Sequence, residues 1–139
     1  MEVLLPRSAL AEIHAHARET YPEECCGFLI GTREGDARVI RETRRARNVH
    51  PELREVRYTI DSRDVLRVER EFREEVHVVG VYHSHPDHPA RPSSFDLQRG
   101  VPWYVYVILS LHDGEPGDVT AWFLGEEQRA FKEASLRLV

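Results

Sequence analysis

Lysine is almost missing from this 139-residue chain: Lys132 is the single lysine among nineteen basic residues. Asn48 is the single asparagine, Gln98 and Gln128 the two glutamines, and Met1 the single methionine. Scarcity of these labile residues is a thermophile habit, yet thermophile chains are usually rich in lysine, so the two signals conflict. No apolar run approaches the ~20 residues that span a bilayer, which excludes a transmembrane helix. The opening Met1-Glu2-Val3-Leu4-Leu5-Pro6 lacks a basic stretch followed by a long apolar one, so no secretory signal and a cytoplasmic location are expected. Positive charge is not in surplus either. With 24 acidic against 19 basic residues and a net charge of -5, the chain lacks the phosphate-neutralising balance of a nucleic-acid binder. The run Arg41-Glu42-Thr43-Arg44-Arg45-Ala46-Arg47 is the local exception. It reads as a solvated strand edge or as a docking patch for an acidic partner.

Cysteine is limited to the neighbours Cys25 and Cys26. Adjacent side chains on a strand point to opposite faces, so the pair cannot bridge distant segments. Small buried fillers in a reducing compartment are expected, with a catalytic thiol as the alternative. What is present suits a globular protein: 41% hydrophobic and 31% charged residues, in a length typical of one domain, so residues 1–139 are expected to form a single domain. There is no internal repeat or low-complexity segment.

Val3 to Leu5 reads as a short strand, and Pro6 suits the first position of a helix. Leu10, Ile13 and Ala17 recur at helical spacing through Thr20, with His14 and His16 expected at the surface and Tyr21-Pro22 as the break. Cys25 to Gly31 is a continuous apolar run, the pattern of a strand buried on both faces. A turn at 34–36 leads to a strand from Arg38 to Ala46, then to one at 57–60. Asp61 or Ser62 can cap the following helix, whose apolar side carries Val65, Val68, Phe72 and Val76. Val76 to His85 reads as another strand, 86–92 as a proline-rich loop, Ser93 to Asp96 as a helix start, and Trp103 to Leu111 as a strand. A turn at 112–118 and a hairpin partner at Val119 to Leu124 follow, and the tail from Ala130 to Val139 fits either a helix or a strand, with the strand favoured. Alternating helices and strands with some hairpins give an α/β fold with a mixed sheet.

The strongest chemical signal is His83-Ser84-His85-Pro86 with Asp96 eleven residues beyond His85. Two imidazoles two positions apart on a strand share a face, at the strand end where open α/β sheets place their sites. Asp96, in the first turn of a helix, can join them. Two imidazoles and a carboxylate suit zinc, and three protein ligands leave a position for water. Ser93-x-x-Asp96 also reads as a helix capping box, which is compatible with ligation. Asp87 and His88 are competing ligands on the loop. His50, His77 and His112 have no spacing that suggests a role.

Pro22-Glu23-Glu24-Cys25-Cys26-Gly27-Phe28-Leu29-Ile30-Gly31, with His83-Ser84-His85-Pro86 and Ser93-Ser94-Phe95-Asp96, resembles the JAMM (MPN-plus, Mov34/PAD-1) metalloprotease family, in its compact prokaryotic form. The resemblance spans essentially the whole chain. It implies a curved mixed β-sheet flanked by helices, similar to the cytidine deaminase fold, and one zinc ion held by His83, His85 and Asp96. By the same resemblance, Glu24 is the general acid/base and Ser93 stabilises the tetrahedral intermediate. The family pattern Glu-x-Cys-Gly selects Glu24 over Glu23. The implied reaction is cleavage of an amide bond after the Gly-Gly C-terminus of a ubiquitin-like or β-grasp sulfur-carrier protein, whose extended tail can add along a sheet edge. Two other readings stand beside it: a non-catalytic scaffold of the same fold, and a zinc hydrolase of another substrate such as a deaminase. The deaminase reading lacks the usual His-x-Glu and Pro-Cys-x-x-Cys elements.

Overall fold

The computed structural model describes residues 1–126 and 130–139. Strand β1 (Glu2–Leu5) leads into helix α1 (Arg7–Thr20), then β2 (Cys26–Glu34), β3 (Ala37–Ala46), α2 (Ser62–Glu71), β4 (His77–Pro86), α3 (Ser94–Arg99), β5 (Val105–His112), β6 (Glu115–Leu124) and β7 (Phe131–Leu138). The sheet order is β1-β3-β2-β4-β5-β6-β7, closed by β1 pairing with β7. It is mixed: β1 runs parallel to β3 and β7, β4 parallel to β5, and the remaining pairs are antiparallel. The mixed sheet with its helices agrees with the sequence reading, and closure refines it. Closure leaves no terminal strand, but β1 pairs with β3 only at Ala37, Arg38 and Val39, so the rest of β3 is bonded on the β2 side alone.

Each face of the sheet has its own core. Alternation sends Cys25, Leu29 and Tyr82 to one side, where Ile13 and Ala17 of α1 cover them, and a register shift in the β2–β4 pairing adds Val79 to that side. Cys26, Phe28, Ile30 and Val81 go to the other side, where Val68 of α2 and Tyr58 lie. The two cysteines therefore face opposite cores, both free and buried, as their adjacency on a strand requires. Gly27 has a specific reason to lack a side chain: a Cβ there would collide with the Tyr82 ring and the Arg44 carbonyl.

Several local expectations change. His16 is buried rather than at the surface, because its Nδ1 lies 2.7 Å from the hydroxyl of Tyr82 across the core. Residues 57–60 do not form a strand; Ile60 makes one isolated bridge to Asn48. Helix α2 stops at Glu71, leaving Val76 outside it, and Asp61 is the cap, accepting from the Arg63 backbone N–H at 2.9 Å. The expected 112–118 turn is tighter. Asp113 and Gly114, both at positive φ, turn the chain, and Glu115 already belongs to β6. The tail is a strand, as expected.

The arginine-rich run lies on β3, and most of it is neutralised internally. Arg44 pairs with Glu42 and Glu71, Arg45 with Glu19, and Arg47 with Asp61 and Asp64. A strand edge clothed in ion pairs describes it better than a free basic patch.

Candidate metal centre

Antiparallel pairing of β2 with β4 sets Cys26 opposite His83, which brings Glu24, two residues before β2, to the C-terminal end of β4. Ser84 locks that junction by accepting the Cys25 backbone N–H at 2.8 Å. Glu24 and Glu23 then diverge, as neighbours in an extended chain must. Glu24 is 2% exposed and its Oε1 lies 3.5 Å from Nδ1 of His83. Glu23 is half-buried and reaches Arg54 at 3.2 Å.

His83 is fully buried, with its Nδ1 towards Glu24 and its Nε2 3.9 Å from Oδ2 of Asp96. His85 brings its Nε2 to 3.2 Å from the same oxygen, while its Nδ1 faces the Pro89 carbonyl at 2.8 Å. Asp96 caps and reaches inward at once. Its Oδ2 accepts the Ser93 backbone N–H at 2.8 Å, and its own N–H donates to the Ser93 hydroxyl oxygen at 3.0 Å. The capping box and the contact with both imidazoles thus share one carboxylate.

The charges follow this geometry. Burial alone would raise the Asp96 carboxyl, but the His85 bond, the neighbouring His83 and the Ser93 N–H hold it at about 2. Burial disfavours the charged form of His85, and the bonds to Asp96 and Pro89, with the nearby carboxylates, outweigh it and raise its pKa. The cysteine beside the site is not prepared as a nucleophile. Burial pushes the Cys25 thiol up to about 11 despite the Ser84 hydrogen bond, and Cys26 is raised further by burial and its neighbour.

Both ring nitrogens of His83 and Oε1 of Glu24 are buried without a hydrogen-bond partner among the described residues. Such groups are rarely left unpaired, because desolvating them uncompensated costs roughly 1–3 kcal/mol each. Among the described residues, Glu24, His83 and His85 form the group of metal-competent side chains whose donor atoms all lie within 4.8 Å of one another. Asp96 is not in that set, but it meets both imidazoles through Oδ2. The donor set of imidazole and carboxylate fits a divalent cation. The two loop alternatives do not join it. Asp87 accepts from the Tyr21 hydroxyl at 2.6 Å and the Asp113 N–H at 2.9 Å, and His88 lines the outer cleft. That cleft, about 350 Å³, is walled by Glu24, Val56, His85, Pro89, Arg91 and Ser93.

Two residues matter here that the sequence did not single out. Tyr58 stacks on His83 with ring centroids 4.5 Å apart and planes 28° apart. Asn48 organises the 47–60 segment over the site: its amide donates to the carbonyls of Glu24 and Arg57 at 3.0 Å, and its oxygen accepts from His50 and Thr59. Being the single asparagine of the chain, inside a loop, was the one available hint.

Residues 6–125 match the family described as prokaryotic homologs of the JAB domain. The chain is 36% identical over 112 residues to a desampylase of Haloferax volcanii, covering 76% of this chain and 78% of that protein. It is 37% identical over 102 residues to a CysO-cysteine peptidase of Mycobacterium tuberculosis, covering 71% and 66%. A probable TtuB-protein conjugate cleaving protease of Thermus thermophilus is 34% identical over 125 residues, covering 89% and 77%. The solution structure of DSY2949 from Desulfitobacterium hafniense superposes with a TM-score of 0.83 at 29% identity, covering all of this chain and 93% of that one. With the Glu24, His83, His85 and Asp96 cluster in the same fold, the chain belongs to the prokaryotic JAB family.

Proposed function

We propose that this protein is a zinc-dependent peptidase or isopeptidase, cleaving the amide bond after the Gly-Gly end of a ubiquitin-like or sulfur-carrier protein. The observation that carries the reading is the buried cluster in which His83 and Glu24 hold unpartnered donor atoms beside His85 and Asp96. His83, His85 and Asp96 are the proposed ligands. The names of the relatives, which include a desampylase and proteases of CysO and TtuB adducts, support the substrate class. Two buried free thiols accord with a reducing, cytoplasmic setting, and residues 1–139 would act as one domain.

Zinc, when bound, supplies a Lewis acid and lowers the pKa of water from about 15.7 towards ~7. Glu24 takes a proton from the attacking water and returns it to the leaving amine, its carboxylate already beside His83. The Ser93 oxygen accepts from the Asp96 N–H, so its own hydroxyl proton remains available for the carbonyl oxygen as charge develops there. Such a donor is worth on the order of 3 kcal/mol. Pro89 and Val56 line the cleft beside Glu24, His85 and Ser93.

The test is incubation of the zinc-loaded protein with the host's Gly-Gly-ended β-grasp proteins, each extended by one residue or a short peptide, read by intact mass. Wild type is expected to remove the extension, and Glu24→Gln to keep its zinc and leave the extension in place. Cleavage by Glu24→Gln at the wild-type rate would remove Glu24 from the mechanism. No cleavage of any carrier at full zinc occupancy would move the activity to other amides.

A further inference from the structure

The loop between β4 and α3 holds Arg91 at a defined place on the wall of the cleft. The Ala90 carbonyl accepts the Thr120 hydroxyl at 2.6 Å, and the Arg91 N–H donates to the Pro89 carbonyl at 2.8 Å. Pro92 follows, which biases the Arg91 backbone to extended conformations. Arg91 is exposed and lines the same cleft as Glu24, His85 and Ser93. Elsewhere Arg44, Arg45, Arg47, Arg54, Arg63 and Arg67 each reach a carboxylate within 3.2 Å. Arg91 has no carboxylate partner among the described residues, in a chain whose net charge is -5.

This unmatched cation stands beside the groups proposed to cut the bond. When a single C-terminal amino acid leaves, its free α-carboxylate lies two bonds from the scissile nitrogen. A lysine joined through its Nζ has a four-carbon stem there instead, with no charge next to the bond. A carboxylate brought up to Glu24 is repelled unless a cation faces it. A guanidinium keeps its charge and takes a carboxylate with paired hydrogen bonds. We infer that Arg91 is a specificity-determining residue: it receives the α-carboxylate of one amino acid leaving from the Gly-Gly end, favouring single-residue removal over isopeptide cleavage. The inference rests on the hydrolase reading above. In that reaction the water oxygen joins the glycine carbonyl carbon as the C–N bond breaks. Both water protons end on the amine, giving a glycine carboxylate and a free amino acid as its zwitterion.

The test compares one Gly-Gly-ended β-grasp carrier extended by a single alanine in two forms, α-carboxylate and α-carboxamide, which differ in charge and hardly in shape. Wild type is expected to favour the carboxylate by roughly 10-fold in kcat/KM, mostly through KM, and less as salt is raised. Arg91→Gln is expected to treat the two alike, and Arg91→Lys to keep part of the preference. Binding of both forms to Glu24→Gln protein, read by calorimetry, is expected to show the same ratio without turnover. Equal handling of the two forms by wild type overturns the inference, as does a preference that survives Arg91→Gln. Cleavage of both forms at one rate removes the role of Arg91 and leaves the hydrolase standing. Cleavage of neither removes the hydrolase reading, and the inference with it.

Discussion

The molecule holds two buried histidine–tyrosine pairs, one on each side of the sheet, and they are built to opposite ends. On the α1 side, His16 meets Tyr82 edge-on at 74°, with Nδ1 and the phenol hydroxyl 2.7 Å apart. On the other side, Tyr58 lies flat on His83, and both nitrogens of His83 have no partner. The adjacent residues Tyr82 and His83 supply one member to each pair, so strand alternation alone divides them. The first pair joins the His16 Nδ1 to the Tyr82 hydroxyl inside the protein and acts as core. The second leaves buried ring nitrogens without a partner among the described residues, which accords with the metal site proposed for it. Burial of a histidine is therefore uninformative until its nitrogens are accounted for.

Substitution separates the two pairs. His83→Ala is expected to abolish zinc stoichiometry and all turnover while the protein stays folded, measured by metal analysis and far-UV dichroism; retained one-to-one zinc would contradict the ligand assignment. Ser93→Ala should lower kcat by ~10²–10³-fold if its hydroxyl serves the oxyanion. That variant also loses a helix cap worth about 1 kcal/mol, so Ser93→Thr, which keeps both functions, is the control. On the core side, His16→Ala leaves the Tyr82 hydroxyl buried and unpaired. It should cost roughly 1–3 kcal/mol in urea unfolding with zinc content and kcat unchanged.

The same histidine gives a pH signature. Burial, with Arg45 nearby and only Glu19 opposing, lowers His16 from 6.5 to about 4. Between these values the unfolded chain binds the proton and the folded chain does not. Its contribution is therefore complete above pH 6.5 and is lost as pH falls towards 4. His16→Gln, which can still bond Tyr82 but does not titrate, should flatten the urea midpoint between pH 6.5 and 4 relative to wild type; an unchanged slope would sink the assignment. The smallest effect belongs to the surface. Breaking the bidentate Arg44–Glu71 pair with Glu71→Gln should change stability by no more than about 0.2–1 kcal/mol.

Much of the site was legible because it is written in short-range terms. His-x-His on a β-branched run gives two imidazoles on one face, and Ser93-x-x-Asp96 gives a capped first turn. The β2, β4 and α1 segments were legible for the same reason, since their apolar periodicity is strong. Residues 57–60 misled because Tyr58, Thr59 and Ile60 have strand-forming side chains, yet their neighbours are the polar groups of Asn48 rather than a sheet. His16 misled because one helical turn shows which face it occupies only when the partner, 66 residues away, is known.

By itself the sequence determined the order of elements apart from the strand expected at 57–60, the absence of a membrane-spanning helix, and the residue types and spacing of the candidate metal cluster, all of which follow from composition and local periodicity. The tertiary structure decided what depends on pairing between distant segments. It closed the sheet through β1 and β7, turned Glu24 inwards and Glu23 towards Arg54, and stacked Tyr58 on His83. It also removed Asp87 from the ligand candidates by giving its carboxylate to Tyr21 and Asp113. Local rules fix which face a side chain takes; only long-range strand register fixes what that face meets.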